Sequence, residues 1–307
     1  MRISIVVPVY GCDASLALLA HKVHHEMAAI GCLYEVILVD DGAPPMTWRI
    51  IQRLSREDNR LRGVRLSRNF GQHAAIMAGI RSSRGDLIIV MDCDLQDSVA
   101  DIPRFIEQLE HSEIVVGVRS DYGASRMREF QGRIYAWVVR VLTGHRIDPR
   151  VGGMVSLRRN VADVYSQFTE PDQHFLYILD WIGFSKSQLP VKRDDRQAGT
   201  SAYRFSDRIR HAARGILFFP ARIVWLLIFV GLGMLSVGSL ALLVVLVQNW
   251  RDVAVPGWFS TISVLGVLSG MNLALTSLVG LYTTKVYELA KRRPNYVVSD
   301  ETGLSPN

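Results

Sequence analysis

Cysteine is scarce in this chain, with Cys12, Cys32 and Cys93 the three present in 307 residues. The count is odd and no pair has metal-ligand spacing, which excludes a disulfide-stapled scaffold and a zinc module. We read all three as reduced thiols. A signal peptide is lacking too: the apolar run 3–7 is too short and is followed by Pro8 and Gly11. No internal repeat or low-complexity linker interrupts the chain. The formal net charge is +6, from 35 Lys and Arg against 29 Asp and Glu, yet no aromatic-basic pattern of an RNA-binding surface accompanies it. Nucleic acid is therefore not an expected partner. Anionic lipid headgroups and phosphorylated substrates account for the basic excess more simply.

The absence with the largest consequence is that of charge over long stretches. Residues 223–247 and 258–284 carry no Asp, Glu, Lys or Arg, and each run is long enough to cross a hydrocarbon core as a helix. Trp and Tyr stand near the ends of these runs, as at membrane interfaces. Arg208, Arg210, Arg214 and Arg222 precede the first run, and Lys285, Lys291, Arg292 and Arg293 follow the second. The connector 248–257 carries only Arg251 and Asp252. Positive charge on the inner flanks predicts that both termini and the large domain are cytoplasmic and that the connector lies outside. Ile209, Ala212, Ala213, Ile216 and Leu217 recur at helical intervals among arginines, the pattern of a helix lying on a membrane surface. The expected organisation is a soluble domain over 1–204, an interface helix over 205–221, two transmembrane helices within 222–284 and a cytoplasmic tail over 285–307.

Within 1–204, β-type apolar runs recur at 3–7, 35–39, 62–66, 87–91 and 114–118. Segments with helical spacing separate them, at 14–30, 46–57, 72–82 and 101–110. This alternation predicts a mainly parallel sheet covered by helices on both faces.

The run 87–91 is followed directly by Asp92-Cys93-Asp94-Leu95-Gln96-Asp97. Open α/β sheets hold their ligands at the carboxyl ends of strands, and carboxylates there suit Mg²⁺ or Mn²⁺ shared with substrate phosphates. Read alone, the segment could equally be an acidic turn with Asp97 or Ser98 capping a helix. Three other strand ends carry polar groups as well: Val7-Pro8-Val9-Tyr10, Val39-Asp40-Asp41-Gly42 and Arg68-Asn69-Phe70-Gly71. Asp40 could accept hydrogen bonds from a uracil or ribose, and Tyr10 could offer its face to the base. Each has a plainer alternative, as a cap, a strand end or a surface charge. Their coincidence at one edge predicts a nucleotide site.

In their order these four motifs resemble family 2 glycosyltransferases of the GT-A, Rossmann-like fold. The stretch 196–203, the two apolar runs and Lys291-Arg292-Arg293-Pro294-Asn295-Tyr296 are similar to the polyprenyl-phosphate branch of that family, which includes dolichol-phosphate mannose synthases, bactoprenol glucosyltransferases and undecaprenyl-phosphate aminoarabinose-type enzymes. The resemblance implies an inverting transfer from a nucleotide-diphosphate sugar, with UDP the expected nucleotide and other bases open, to undecaprenyl phosphate at a bacterial inner membrane. It places Pro8, Tyr10, Asp40, Arg68, Asp92 and Gln96 at the donor. Asp92, Asp94 and Gln96 would hold Mg²⁺ or Mn²⁺, and Asp94 and Asp148 would be catalytic. Arg119, Arg133, Arg196 and Ser201 would receive the acceptor phosphate, arginine being suited to it by its fixed fork of donors. The sugar and the oligomeric state stay open, a homo-oligomer included. Two departures from the family pattern stand out. Val151-Gly152-Gly153-Met154-Val155-Ser156-Leu157 lacks the acidic and basic members usual there, and Ala202 stands where a lysine is usual.

Overall fold

The computed structural model describes residues 1–119, 151–169, 174–191 and 293–303, with single positions between 261 and 291. The chain divides into two units, one formed by Met1–Ala136, Ile147–Ile209 and Pro294–Asn307, the other by Trp137–Arg146 and Arg210–Arg293.

The first unit is built on an eight-stranded sheet. Its strands are β1 (Arg2–Val9), β2 (Leu33–Asp40), β3 (Leu61–Leu66), β4 (Leu87–Val90), β5 (Ile114–Arg119), β6 (Val151–Arg158), β7 (Lys186–Val191) and β8 (Val298–Thr302). They lie in the order β7-β5-β6-β4-β1-β2-β3-β8. Strands β4, β1, β2 and β3 are mutually parallel, while β6 runs against both β4 and β5, and β8 runs against β3. The sheet is thus mixed, with the expected parallel half intact. The helices are α1 (Leu16–Ile30), α2 (Pro45–Glu57), α3 (Gln72–Ser82), α4 (Ile102–Gln108), α5 (Arg159–Ser166) and α6 (Phe175–Ile182).

Strand alternation explains the layers. Ile3, Ile5, Val7 and Val9 of β1 join Leu16, Leu19, Val23 and Met27 of α1 and Trp48, Ile51 and Leu54 of α2 in one buried cluster. The opposite face of β1 receives α3, whose Gly79 sits so close to Val6 that a β-carbon there would collide with it. Away from the strand ends that carry the motifs, buried Glu35 accepts hydrogen bonds from Ser4 Oγ at 2.7 Å, Arg84 N at 2.7 Å and Arg62 Nη1 at 3.0 Å. Burial alone would raise this carboxyl, but those donors outweigh it and hold Glu35 below the usual glutamate range.

The end of the stretch expected to be a tail is part of this sheet. β8 pairs with β3, Trp48 Nε1 donates to Asp300 Oδ2 at 3.0 Å, and Ser67 N donates to Val297 O at 2.9 Å. In the second unit, described helical positions expose Leu265, Val279, Val286 and Tyr287. Among the described residues no helix is long and apolar enough to cross a membrane. Most of the two apolar runs, and all of the interface helix, lie outside the described residues.

Candidate active site

The chain builds β1, β2 and β3 outward in one direction, then returns to place β4 on the other side of β1. The reversal opens a crevice beyond the carboxyl ends of β1 and β4, where open α/β sheets bind ligands. Pro8 is buried at the end of β1, past the last β1–β4 pair, where its missing N–H interrupts no ladder bond on that side. Tyr10 follows with 60% of its surface exposed, free to lie against a planar ligand.

The two aspartates closing β2 are turned inward. Asp40 is fully buried: Oδ1 accepts Ala43 N at 2.8 Å, and Arg65 Nε lies 3.2 Å from Oδ2 as an ion pair without hydrogen-bond alignment. Burial raises its carboxyl, with Ala43 N–H and Arg65 pulling the other way. Asp41 is a clamp, accepting Phe70 N at 2.7 Å and Gly71 N at 2.9 Å. Burial pushes Asp41 up to about 6 despite these two donors. Gly42, at φ 66°, presses against the Arg68 and Asn69 backbone so closely that a side chain would not fit. The loops after β2 and β3 are therefore one packed unit. Arg68 is exposed on it, with its guanidinium 4.6 Å from the centre of the Phe70 ring.

Past β4, burial alternates residue by residue. Met91, Cys93, Leu95 and Asp97 are buried, whereas Asp92, Asp94 and Gln96 are partly exposed. Leu95 adopts φ 60°, unusual for a leucine, and its buried side chain anchors the turn. Asp94 Oδ1 accepts Gln96 N at 3.1 Å across that turn. Asp97, 6% exposed, receives Asp92 N at 3.4 Å and packs against Gly153 of β6, which has φ 91°. Two carboxylates and an amide thus share the partly exposed side. Among the described residues no group of three or more His, Cys, Asp and Glu forms a closed metal site. A partly exposed carboxylate pair suits a hard cation whose remaining ligands come from a substrate diphosphate, so these residues fit Mg²⁺ or Mn²⁺.

One expectation is corrected at this edge. Cys12 and Cys93 form a disulfide, with Cα atoms 6.0 Å apart and a sequence separation of 81. The sequence separation hid the contact, because β1 and β4 are neighbours only through the reversal of strand order. Cys32 is the one free thiol, and burial raises its pKa.

Two contacts at the start of α3 join residues far apart in sequence, which spacing alone does not reveal. Gln72 Nε2 donates to Asp92 Oδ1 at 2.8 Å. The His73 ring centre lies 4.4 Å from that of His174, which stacks on Tyr177 at 4.1 Å and brings the start of α6 against α3. Of the proposed acceptor residues, Arg119 ends β5 opposite Val191 of β7. Arg133, Asp148, Arg196 and Ser201, and the departure at Ala202, lie outside the described residues.

A family model, Glycosyl transferase family 2, matches residues 4–169, which contain every motif of this edge. The chain is 30% identical over 304 residues to the undecaprenyl-phosphate 4-deoxy-4-formamido-L-arabinose transferase of Pseudomonas fluorescens, covering 96% of this chain and 89% of that protein. It is 29% identical over 303 residues to the transferase of the same name in Shewanella sediminis, covering 97% and 92%. Among solved structures, glucosyl-3-phosphoglycerate synthase from Mycobacterium tuberculosis, in complex with Mn²⁺, UDP and phosphoglyceric acid, superimposes with a TM-score of 0.50 at 17% identity, covering 72% of this chain and 78% of that one. That likeness bears on the fold, a GT-A Rossmann-like mixed sheet. With the family model covering more than half of the sequence and relatives matched along nearly all of it, the chain belongs to glycosyl transferase family 2.

Proposed function

We propose that the protein is a membrane-anchored, inverting glycosyltransferase that moves a sugar from a UDP-sugar to undecaprenyl phosphate. The observation that carries this reading is the partly exposed carboxylate pair Asp92 and Asp94 at the strand-order reversal, in a chain similar along nearly its whole length to undecaprenyl-phosphate sugar transferases. Tyr10 would lie against the base, and Arg68 would approach the donor from the loop clamped by Asp41. Asp40, being fully buried, would act through the shape of the turn it holds. Asp92, Asp94 and Gln96 would hold Mg²⁺ or Mn²⁺, which when bound offsets negative charge on the departing diphosphate; the Mn²⁺ and UDP in the solved relative support that choice.

The acceptor is a phosphate monoester whose oxygen is already anionic at neutral pH. It needs positioning more than deprotonation. Arg119, Arg133, Arg196 and Ser201 would hold it, and Asp148 would orient it or offset positive charge developing at the anomeric carbon.

The sheet itself supports the membrane topology. β8 follows the second apolar run, yet pairs with β3 of the domain that precedes the first. A chain that leaves a domain and returns to it crosses a bilayer an even number of times, which agrees with two spans and both termini on the cytoplasmic side. Exposed Leu265 and Val279, both within the second apolar run, suit a helix surrounded by lipid.

The test is a panel of nucleotide sugars, including UDP-linked 4-deoxy-4-formamido-L-arabinose, given to the full chain in detergent with undecaprenyl phosphate and Mn²⁺. Mass spectrometry of the lipid extract should find one sugar joined to undecaprenyl phosphate. Transfer to some other acceptor in the same extract, with the lipid phosphate unmodified, would overturn the reading.

A further inference from the structure

Asp92 is the carboxylate nearest the end of β4, and its orientation is set from another element. Gln72 opens α3, immediately after the loop that Asp41 holds through Phe70 N and Gly71 N. Its amide nitrogen donates to Asp92 Oδ1 at 2.8 Å. The amide must face this way, since only its nitrogen can donate to a carboxylate. From the other side, Asp92 N points to Asp97 Oδ2 at 3.4 Å. The residue is thus gripped at its side chain by α3 and at its backbone by the turn that follows it.

We propose that Gln72 is a positioning residue for the divalent cation. By committing Oδ1 to its amide, it fixes the rotation of the Asp92 carboxylate and so the direction in which that group meets the metal. This rests on the reading of Asp92 and Asp94 as cation ligands. Partners of metal-binding carboxylates commonly matter to affinity as much as geometry does, at about 10–100-fold per partner removed. Gln72 is exposed, so water competes for its bond, and the lower end of that range is expected. The same contact joins the two sides of the site. The chain of bonds runs from Asp41 at the end of β2, through Phe70 and Gly71, to Gln72 and then Asp92. Nucleotide bound against the clamped loop and cation bound at Asp92 should therefore favour one another.

The test replaces the amide with a group of similar length that cannot donate, Gln72→Met. Mn²⁺ binding to the full chain is read by electron paramagnetic resonance with UDP present. UDP affinity without metal and the thermal midpoint are measured beside it. The expected result is a roughly tenfold rise in the Mn²⁺ concentration for half-saturation, with metal-free UDP affinity and the midpoint retained. An unchanged Mn²⁺ requirement overturns the proposal. So does a loss of metal-free UDP affinity and thermal midpoint in step with the loss of Mn²⁺, which would mark Gln72 as merely structural. If the wild-type protein takes up no Mn²⁺ with UDP, the cation reading itself fails and the proposal falls with it, a result distinct from failure of the variant alone.

Discussion

Gly153→Ala should weaken both the fold and the site, because one added methyl meets two obstacles at once. Gly153 has φ 91°, and its β-carbon would overlap the carboxylate of Asp97. The backbone conformation costs an L-residue about 1–2 kcal/mol. Overpacking against a buried neighbour adds about 1–3 kcal/mol. Together these predict a loss of roughly 2–5 kcal/mol, and each kcal/mol lowers the thermal midpoint by about 2–4 °C in a domain of this size. The displaced group braces Asp92 N, so Mn²⁺-dependent sugar transfer should fall as well. Gly31→Ala is the internal control: it has φ 71° but nothing within 4 Å of its β-carbon. It should show the backbone penalty alone and keep activity. Midpoints by scanning fluorimetry of both variants in the same detergent decide the matter. Equal shifts for the two, with transfer intact in Gly153→Ala, would refute the packing of β6 against the Asp97 turn.

Glu35→Ala should cost about 3–5 kcal/mol in urea unfolding, because it strands the buried Arg62 guanidinium. Since the folded Glu35 carboxyl lies below its ordinary value, its contribution should be present above about pH 4.5 and be lost as the pH falls, a dependence absent from the variant. Asp41 works in the opposite sense. Its folded value of about 6 lies above the ordinary 3.8, so its burial costs little at low pH and progressively more as the pH rises through about 6. Asp41→Asn should flatten that part of the pH–stability curve. Thiol titration of the unreduced, unfolded chain should count one free cysteine, Cys32, and count all three after reduction; three at the outset would dissolve the Cys12–Cys93 bridge.

The parallel half of the sheet was legible because its strands are buried on both faces. Runs such as Leu87-Ile88-Ile89-Val90 are continuous in apolar residues, and the helices between them keep a clear period. The edges were not legible, for the converse reason. β8 reads Val-Ser-Asp-Glu-Thr and is almost wholly exposed, and β7 carries Pro190 and alternates exposed with half-buried positions, so neither has an apolar signature. β6 was visible only as a departure from a family motif. Met154 and Ser156, which stand where the acidic and basic members are usual, are both buried, while Gly153 beside them makes room for Asp97. Within the site, the position of Asp92, Asp94 and Gln96 past the end of β4 was legible because they follow directly on an apolar run. The inward turn of Asp40, the Gln72–Asp92 bond and the Cys12–Cys93 bridge depend on which strand ends become neighbours, and one-dimensional spacing does not encode that.

The central claim is that Asp92 and Asp94 serve cation-dependent transfer of a sugar to a lipid phosphate, and it is tested most directly through Asp94→Asn. The amide keeps the shape of the side chain and removes the charge a hard cation requires. Formation of sugar-linked undecaprenyl phosphate should be followed across a Mn²⁺ titration, for the wild-type chain and the variant in the same membranes. The account predicts product that rises with Mn²⁺ and disappears with EDTA in the wild type, and none at any Mn²⁺ concentration in the variant, whose thermal midpoint is retained. Near-normal product from Asp94→Asn, or wild-type product indifferent to EDTA, would contradict it.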